Sequence, residues 1–99
     1  MIEITCKTMS VTPSMKEHVL QAFEKLNRFD TDLFNPHVIV DKDGLDIVVE
    51  ARIGIPGSEL FAKAQHEEFN TATNRLVDKL KQQLIRYRGK QTASRTQAA

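Results

Sequence analysis

The 99-residue chain has one cysteine, four glycines, three prolines and no tryptophan. It has no apolar run approaching the roughly 20 residues of a membrane span. Each shortage excludes something. Cys6 alone cannot close an internal disulfide or give a metal the cysteine pair common in structural zinc sites, and it fits a reducing compartment. Gly44, Gly54, Gly57 and Gly89 fall singly at expected turns or element ends, so no glycine-rich loop is present to cradle a phosphate. His18, His37 and His66 are too scattered to mark a metal site, and His18 beside Glu17 reads as a surface residue. The opening MIEITCK lacks a basic segment followed by an apolar block, which a secretory leader would need. The expectation is a cytoplasmic protein that is not an enzyme, with no cofactor, no membrane contact and no small-molecule substrate.

What is present is a lopsided charge. Residues 1–74 hold 7 Lys/Arg against 12 Asp/Glu, a balance of −5, whereas residues 75–99 hold 7 against Asp78 alone, a balance of +6. A net charge of +1 hides a basic pole that fits an anionic partner met by one face. The acids of the 41–50 region read as solvated turn and sheet-face groups that would repel nucleic acid from the other side.

The pole lies on the strongest pattern in the chain. Between Glu67 and Lys90 the residues Phe69, Ala72, Leu76, Val77, Leu80 and Leu84 recur by threes and fours, the stripe of an α-helix. Glu67 and Glu68 suit its first turn, Arg86 and Arg88 its last, and Gly89 its stop. At about 100° per residue, Arg75, Lys79, Gln82, Arg86 and Lys90 share one narrow arc beside that stripe.

Upstream, residues 1–7 alternate as a half-buried strand with Ile2, Ile4 and Cys6 inward. Thr12-Pro13 starts a helix over 13–28 with Met15, Val19, Ala22, Phe23 and Leu26 on its apolar side and Lys25 and Arg28 near its end. Asn35-Pro36 reads as a break before a short strand over 37–41. Asp43-Gly44 predicts a hairpin turn into a strand whose inward residues run Leu45, Ile47, Val49, Ala51, Ile53 and Ile55. After Pro56-Gly57-Ser58, Leu60, Ala62 and Ala64 point inward and Phe61, Lys63 and Gln65 outward. Residues 91–99 (QTASRTQAA) lack apolar periodicity and are expected to form a flexible tail beyond a single domain of residues 1–90.

The order β-α-β-β-β-α, with one apolar face per strand, predicts an α+β fold. It is a two-layer sandwich of a four-stranded sheet with two helices packed on one face. An RRM would end in a strand and present stacking rings, whereas the exposed sheet face here offers a single aromatic, Phe61. Helix-borne Lys and Arg suit contact with phosphates and nucleic-acid shape.

The stretches ITCKTMSVTPSMKEHV, KLNRF, NPHVIV and HEEFNTATNRLVDKLKQQLIRYRGK resemble the ribosome hibernation-promoting factor / ribosome-associated inhibitor family. That family includes the so-called sigma-54 modulation proteins, and the resemblance spans residues 1–90. Its most specific part is DKLxxQLxR, here Asp78 to Arg86. The resemblance implies stationary-phase binding to the small ribosomal subunit and its 16S ribosomal RNA. The protein would fill the channel of messenger and transfer RNA and so stall translation in a stored ribosome. It carries the family's basic contacts onto Lys25, Arg28, Lys79, Arg86 and Lys90. Two positions depart from the pattern: members often have Arg where this chain has Gln82, and Tyr where it has Asn70. Lys81 and Arg88 lie on other faces of the helix and do not simply replace the missing charge.

Within the family, long forms add a ribosome-dimerising domain for which this chain has no room. The short inhibitor type carries a longer acidic tail and keeps ribosomes single. The promoting type acts in ribosome pairing with a separate modulation factor, and the acid-free segment containing Arg95 favours it. The alternatives are the inhibitor type, which the sequence before residue 45 resembles as much, and a general double-stranded-RNA-binding module.

Overall fold

The computed structural model describes residues 2–7, 10–29 and 31–98, with the side chains of 90–98 excepted. Met1 of the expected first strand, Asp30, the side chain of Lys90 and those of the expected tail lie outside the described residues. The elements are β1 (Glu3–Cys6), α1 (Pro13–Phe23), a 3-10 helix (Glu24–Arg28), β2 (Phe34–Asp43), β3 (Asp46–Ile55), β4 (Ser58–His66) and α2 (Phe69–Ala98). They form a two-layer α+β sandwich in the order β-α-β-β-β-α. The sheet is mixed: its order is β1-β2-β3-β4, with β1 parallel to β2 and the remaining neighbours antiparallel. A parallel pair needs a crossover, and α1 provides it.

The inner face is built by alternation. Val38 and Val40, Val49, Ala51, Ile53 and Ile55, and Leu60, Ala62 and Ala64 are buried and form one cluster with residues of both helices. Val19, Ala22, Phe23 and Leu26 cover it from the α1 side, and Ala72, Leu76, Val77, Leu80 and Leu84 from α2. Ala51 pairs with Ala62 across β3 and β4, and Val49 with Ala64. These small side chains let α2 pack closely on that half of the sheet. Within the stripe, Thr73 is 1% exposed and its hydroxyl has no hydrogen-bond partner among the described residues.

Several boundaries differ from the sequence expectations. The helix expected over 13–28 starts as predicted, with Pro13 at its head and the Thr12 Oγ1 accepting from Met15 N at 3.1 Å. It tightens after Phe23 into the 3-10 helix. Phe23, Leu26 and Phe29, spaced by threes, then fall on one side of a three-residue turn, and all three join the core or pack against it. Asn35-Pro36 does not precede β2 but forms an irregularity inside it, between Phe34 and His37, with Asn35 at φ 47°. Gly54 lies opposite, and a Cβ there would meet Phe34 Cβ at 3.2 Å and its carbonyl oxygen at 3.3 Å, so the close approach needs glycine.

The β2–β3 loop is Gly44-Leu45 rather than Asp43-Gly44, because Asp43 pairs with Asp46. Gly44 takes φ +64° at the first loop position, where a II′-type turn favours glycine, and Leu45 is left 84% exposed instead of facing inward.

Glu67 and Glu68 precede α2 instead of occupying its first turn. The Glu68 carbonyl accepts from Ala72 N at 3.0 Å, and its N–H donates to His66 Nδ1 at 3.0 Å, so Glu68 stands at the cap. At the other end the helix passes through Gly89 to Ala98. One glycine inside a helix costs about 1 kcal/mol against alanine, too little to stop a segment without proline. Among the described residues no helix is long and apolar enough to cross a membrane.

Candidate nucleic-acid interface

Helix α2 divides into three arcs, one of which is the buried stripe. On its crest Arg75, Gln82 and Arg86 are exposed within about 40° of one another, as the helical spacing requires. Neither Arg75 nor Arg86 has a carboxylate within ion-pair distance among the described residues, and the same holds for the exposed Lys25 and Arg28 of the 3-10 helix. That short helix packs against α2, and α1 is tied to it where His18 Nε2 and Asn74 Oδ1 approach at 3.1 Å. Asn74 and Lys79 are five residues, about 140°, apart around α2. Lys25 and Arg28 therefore stand on the α1 side of the crest and Lys79 on the opposite side.

The third arc was not foreseen. Lys79, Gln83 and Tyr87, four residues apart, lean over β4, the open edge of the sheet. Lys79 Nζ donates to the Lys63 carbonyl at 2.6 Å, and the Tyr87 hydroxyl to the Pro56 carbonyl at 2.6 Å. Between them the Gln83 amide accepts from Phe61 N at 3.2 Å and donates to the Phe61 carbonyl at 2.5 Å. A free strand edge presents unpaired backbone groups that invite another chain, and this row of side chains occupies them. Lys79 thus belongs to two arcs: one donor is committed to the sheet and two remain for a ligand. A helical pattern gives the angle of Gln83 and Tyr87 about the helix axis but not the neighbour there, so the sequence carried no signal for this clamp.

The outer sheet face contrasts with the crest. Arg52 pairs with Glu59 at 3.5 Å and Lys63 with Glu50 at 3.7 Å, so these two cations are neutralised locally. Cys6 is half-buried, and loss of hydration pushes its thiol above the usual range, away from the reactive thiolate. Among the described residues no group of three or more His, Cys, Asp or Glu could hold a metal ion.

Known proteins share this mixed four-stranded sheet under two helices. The sequence profile of the family described as Sigma 54 modulation protein / S30EA ribosomal protein matches residues 2–92. The chain belongs to this family. A relative named ribosome-associated factor Y, from Haemophilus influenzae, is 34% identical over 94 residues, covering 95% of this chain and 88% of its own. A ribosome hibernation promoting factor from Pseudomonas putida is 32% identical over 90 residues, covering 91% and 88%. Among solved structures, a ribosomal subunit interface protein from Coxiella burnetii superposes with a TM-score of 0.80 at 25% identity, over 89% of this chain and 97% of that one. The N-terminal domain of Protein Y from Thermus thermophilus, at TM-score 0.79 and 21% identity over 86% and 94%, shares the fold.

Proposed function

We propose that this S30EA-family chain is a ribosome hibernation factor that binds the small ribosomal subunit in its messenger and transfer RNA channel. The ribosome follows from family membership and from relatives named as ribosome-associated and hibernation-promoting factors. One observation carries the mode of binding: among the described residues, the cations on the α2 crest and the 3-10 helix lack carboxylate partners, while Arg52 and Lys63 on the sheet face have them. Unneutralised Lys and Arg on a rigid rod release counterions from phosphates when they bind. Lys25, Arg28, Arg75, Lys79, Arg86 and Lys90 supply the charge, and Gln82 contributes a neutral hydrogen-bonding group on the same arc. The bound protein blocks translation and, alongside a separate modulation factor, favours stored ribosome pairs. A second reading, storage of single ribosomes, rests on the resemblance of the sequence before residue 45 to the inhibitor type.

Binding to purified small subunits at graded salt is the direct test, with the slope of log K against log salt read for the native chain and for Arg75→Glu/Arg86→Glu. Each phosphate contact contributes about 0.7 to 0.9 to that slope, so the double variant should flatten it by at least about 1.4 and weaken binding at low salt. These two positions are preferable to Lys79, whose reversal would also break the bond to the Lys63 carbonyl. Unchanged affinity and slope in the folded variant would remove the crest from the interface. Equal affinity for free RNA duplexes would turn the protein into a general double-stranded-RNA binder. Sucrose gradients with and without the modulation factor separate pairing from single-ribosome storage: growth of dimers supports the former, their suppression the latter.

A further inference from the structure

The outer face of the sheet has a feature that the basic crest does not use. The register aligns His37 of β2 with Arg52 of β3, and Arg52 with Phe61 of β4, so the three form one row across adjacent strands. All three have a flat π surface. Their row borders a cleft of about 140 Å³ that Ile39 and Glu50 also line. The Arg52 guanidinium lies 5.7 Å from the centre of the Phe61 ring, within cation–π range, and Glu59 holds the guanidinium by the 3.5 Å ion pair. The His37 ring is anchored through Nε2, 3.0 Å from the Thr5 hydroxyl. The backbone of Phe61 is fixed from behind by both groups of Gln83. Despite this support Phe61 is 45% exposed. The side chains are held in place, with the guanidinium over one face of the Phe61 ring and Phe61 still nearly half exposed.

We propose that the His37–Arg52–Phe61 row is a stacking site for one unpaired base of single-stranded RNA. The cleft is far below the roughly 300 Å³ at which pockets for drug-sized ligands begin, and close to the roughly 150 Å³ of a cavity that takes up a single benzene ring. The cleft offers room for one flat aromatic group laid against the row. Unpaired RNA bases stack on aromatic rings and on guanidinium planes, and here both stand side by side. Glu50 lines the cleft, and its carboxylate, which also pairs with Lys63 at 3.7 Å, has acceptor capacity left for an exocyclic amino group, an edge that adenine, guanine and cytosine offer and uracil does not. Because Arg52 and Lys63 are already paired, the site adds little phosphate attraction. Its contribution is therefore nearly independent of salt, unlike that of the crest.

The site goes beyond the proposed ribosome contact and is tested separately from it. Phosphate-free adenosine, cytidine and uridine are titrated into the ¹⁵N-labelled chain. Saturable shifts confined to the amides around residues 37, 52 and 61, weaker for uridine, are expected. A short oligouridine carrying one central 2-aminopurine then reports stacking by quenching, with no tryptophan in the chain to interfere. Phe61→Leu keeps an apolar side chain but removes the ring. It should abolish the quenching and weaken the oligonucleotide about tenfold to a hundredfold, the usual loss for one stacked base. Arg52→Lys keeps the charge beside Glu59 without the plane and should give an intermediate loss.

Equal quenching in Phe61→Leu and the native chain, or nucleoside shifts on α2 in place of the row, would overturn the site. Nucleoside binding as tight as that of the oligonucleotide would overturn the RNA assignment in favour of a free nucleoside. Arg75→Glu/Arg86→Glu should lose subunit binding yet keep the nucleoside shifts, so failure of one interface is distinguishable from failure of the other.

Discussion

Replacing Gln83 with alanine tests whether α2 seals the sheet edge. The native amide makes two hydrogen bonds to one residue of β4, at 3.2 Å to Phe61 N and 2.5 Å to its carbonyl. A typical net hydrogen bond contributes about 0.5–1.5 kcal/mol. The freed groups sit on an edge that water reaches, and the lost side chain returns rotamer entropy, so the lower half of the sum applies, about 1 kcal/mol. For a domain of this size that lowers Tm by about 4–8 °C. Amide exchange gives a sharper measure. Residues along an antiparallel strand point their N–H groups alternately toward and away from the neighbour. Since Phe61 N–H reaches Gln83, those of Leu60 and Ala62 point to β3. In Gln83→Ala the Phe61 amide should exchange faster while Leu60 and Ala62 stay protected. Gln83→Glu adds a pH signature: the ionised carboxyl still accepts from Phe61 N but faces the Phe61 carbonyl without a donor. Its native pKa is then raised above the ordinary value of about 4.3, so the stability it supplies is complete below that pH and is lost as pH climbs through the native value. An unchanged Phe61 exchange rate in Gln83→Ala would refute the clamp.

Two further changes probe the interior. Thr73→Val replaces a fully buried, unpaired hydroxyl with a methyl of nearly the same shape and similar helix propensity, and should raise urea-unfolding stability by about 1 kcal/mol; a loss of that size would mean the hydroxyl has a partner. Burial raises the Cys6 thiol, so its protonated form is favoured in the fold: that stability is complete below the ordinary thiol value of about 8.5 and is lost as pH rises through the native value. Iodoacetamide at pH 8 should accordingly label native Cys6 more slowly than urea-unfolded Cys6, and equal rates would refute the assignment.

Most of the fold was legible because burial imposes a period. Ala72, Leu76, Val77, Leu80 and Leu84 recur as a helix must, and Val49, Ala51, Ile53 and Ile55 as a strand must; all nine are buried. The misreadings fall where local signals compete with register. Asp43-Gly44 is a strong turn pair, but the ladder closes Asp43 on Asp46 and shifts the loop one residue on, which strands Leu45 in solvent. Asn35-Pro36 reads as a break, yet a ten-residue β2 absorbs it as an irregularity because Gly54 leaves room for Phe34. Gly89 reads as a stop, yet nothing in the segment beyond it forbids more helix.

The site was legible only in part, for a related reason. Helical spacing assigns Arg75, Gln82 and Arg86 to one arc because their angles depend on one axis alone. It cannot tell that Lys79, 20° from Arg86 by the same count of about 100° per residue, already donates to a strand. The row of His37, Arg52 and Phe61 was less visible still. Its members are 15 and 9 residues apart, and only the pairings of β2 with β3 and β3 with β4 align them. Phe61, expected from the sequence as the one aromatic of the exposed sheet face, is the end of a row that the register completes, and Phe34, opposite Gly54, is a second exposed aromatic that the sequence reading missed. Helix and sheet meet at Phe61: its backbone is held by Gln83 of the helix that carries the cations, and its ring ends the row on the opposite face. The clamp that closes the β4 edge therefore fixes the ring relative to the crest, so a strand of RNA following the crest and a base entering the cleft meet one rigid body.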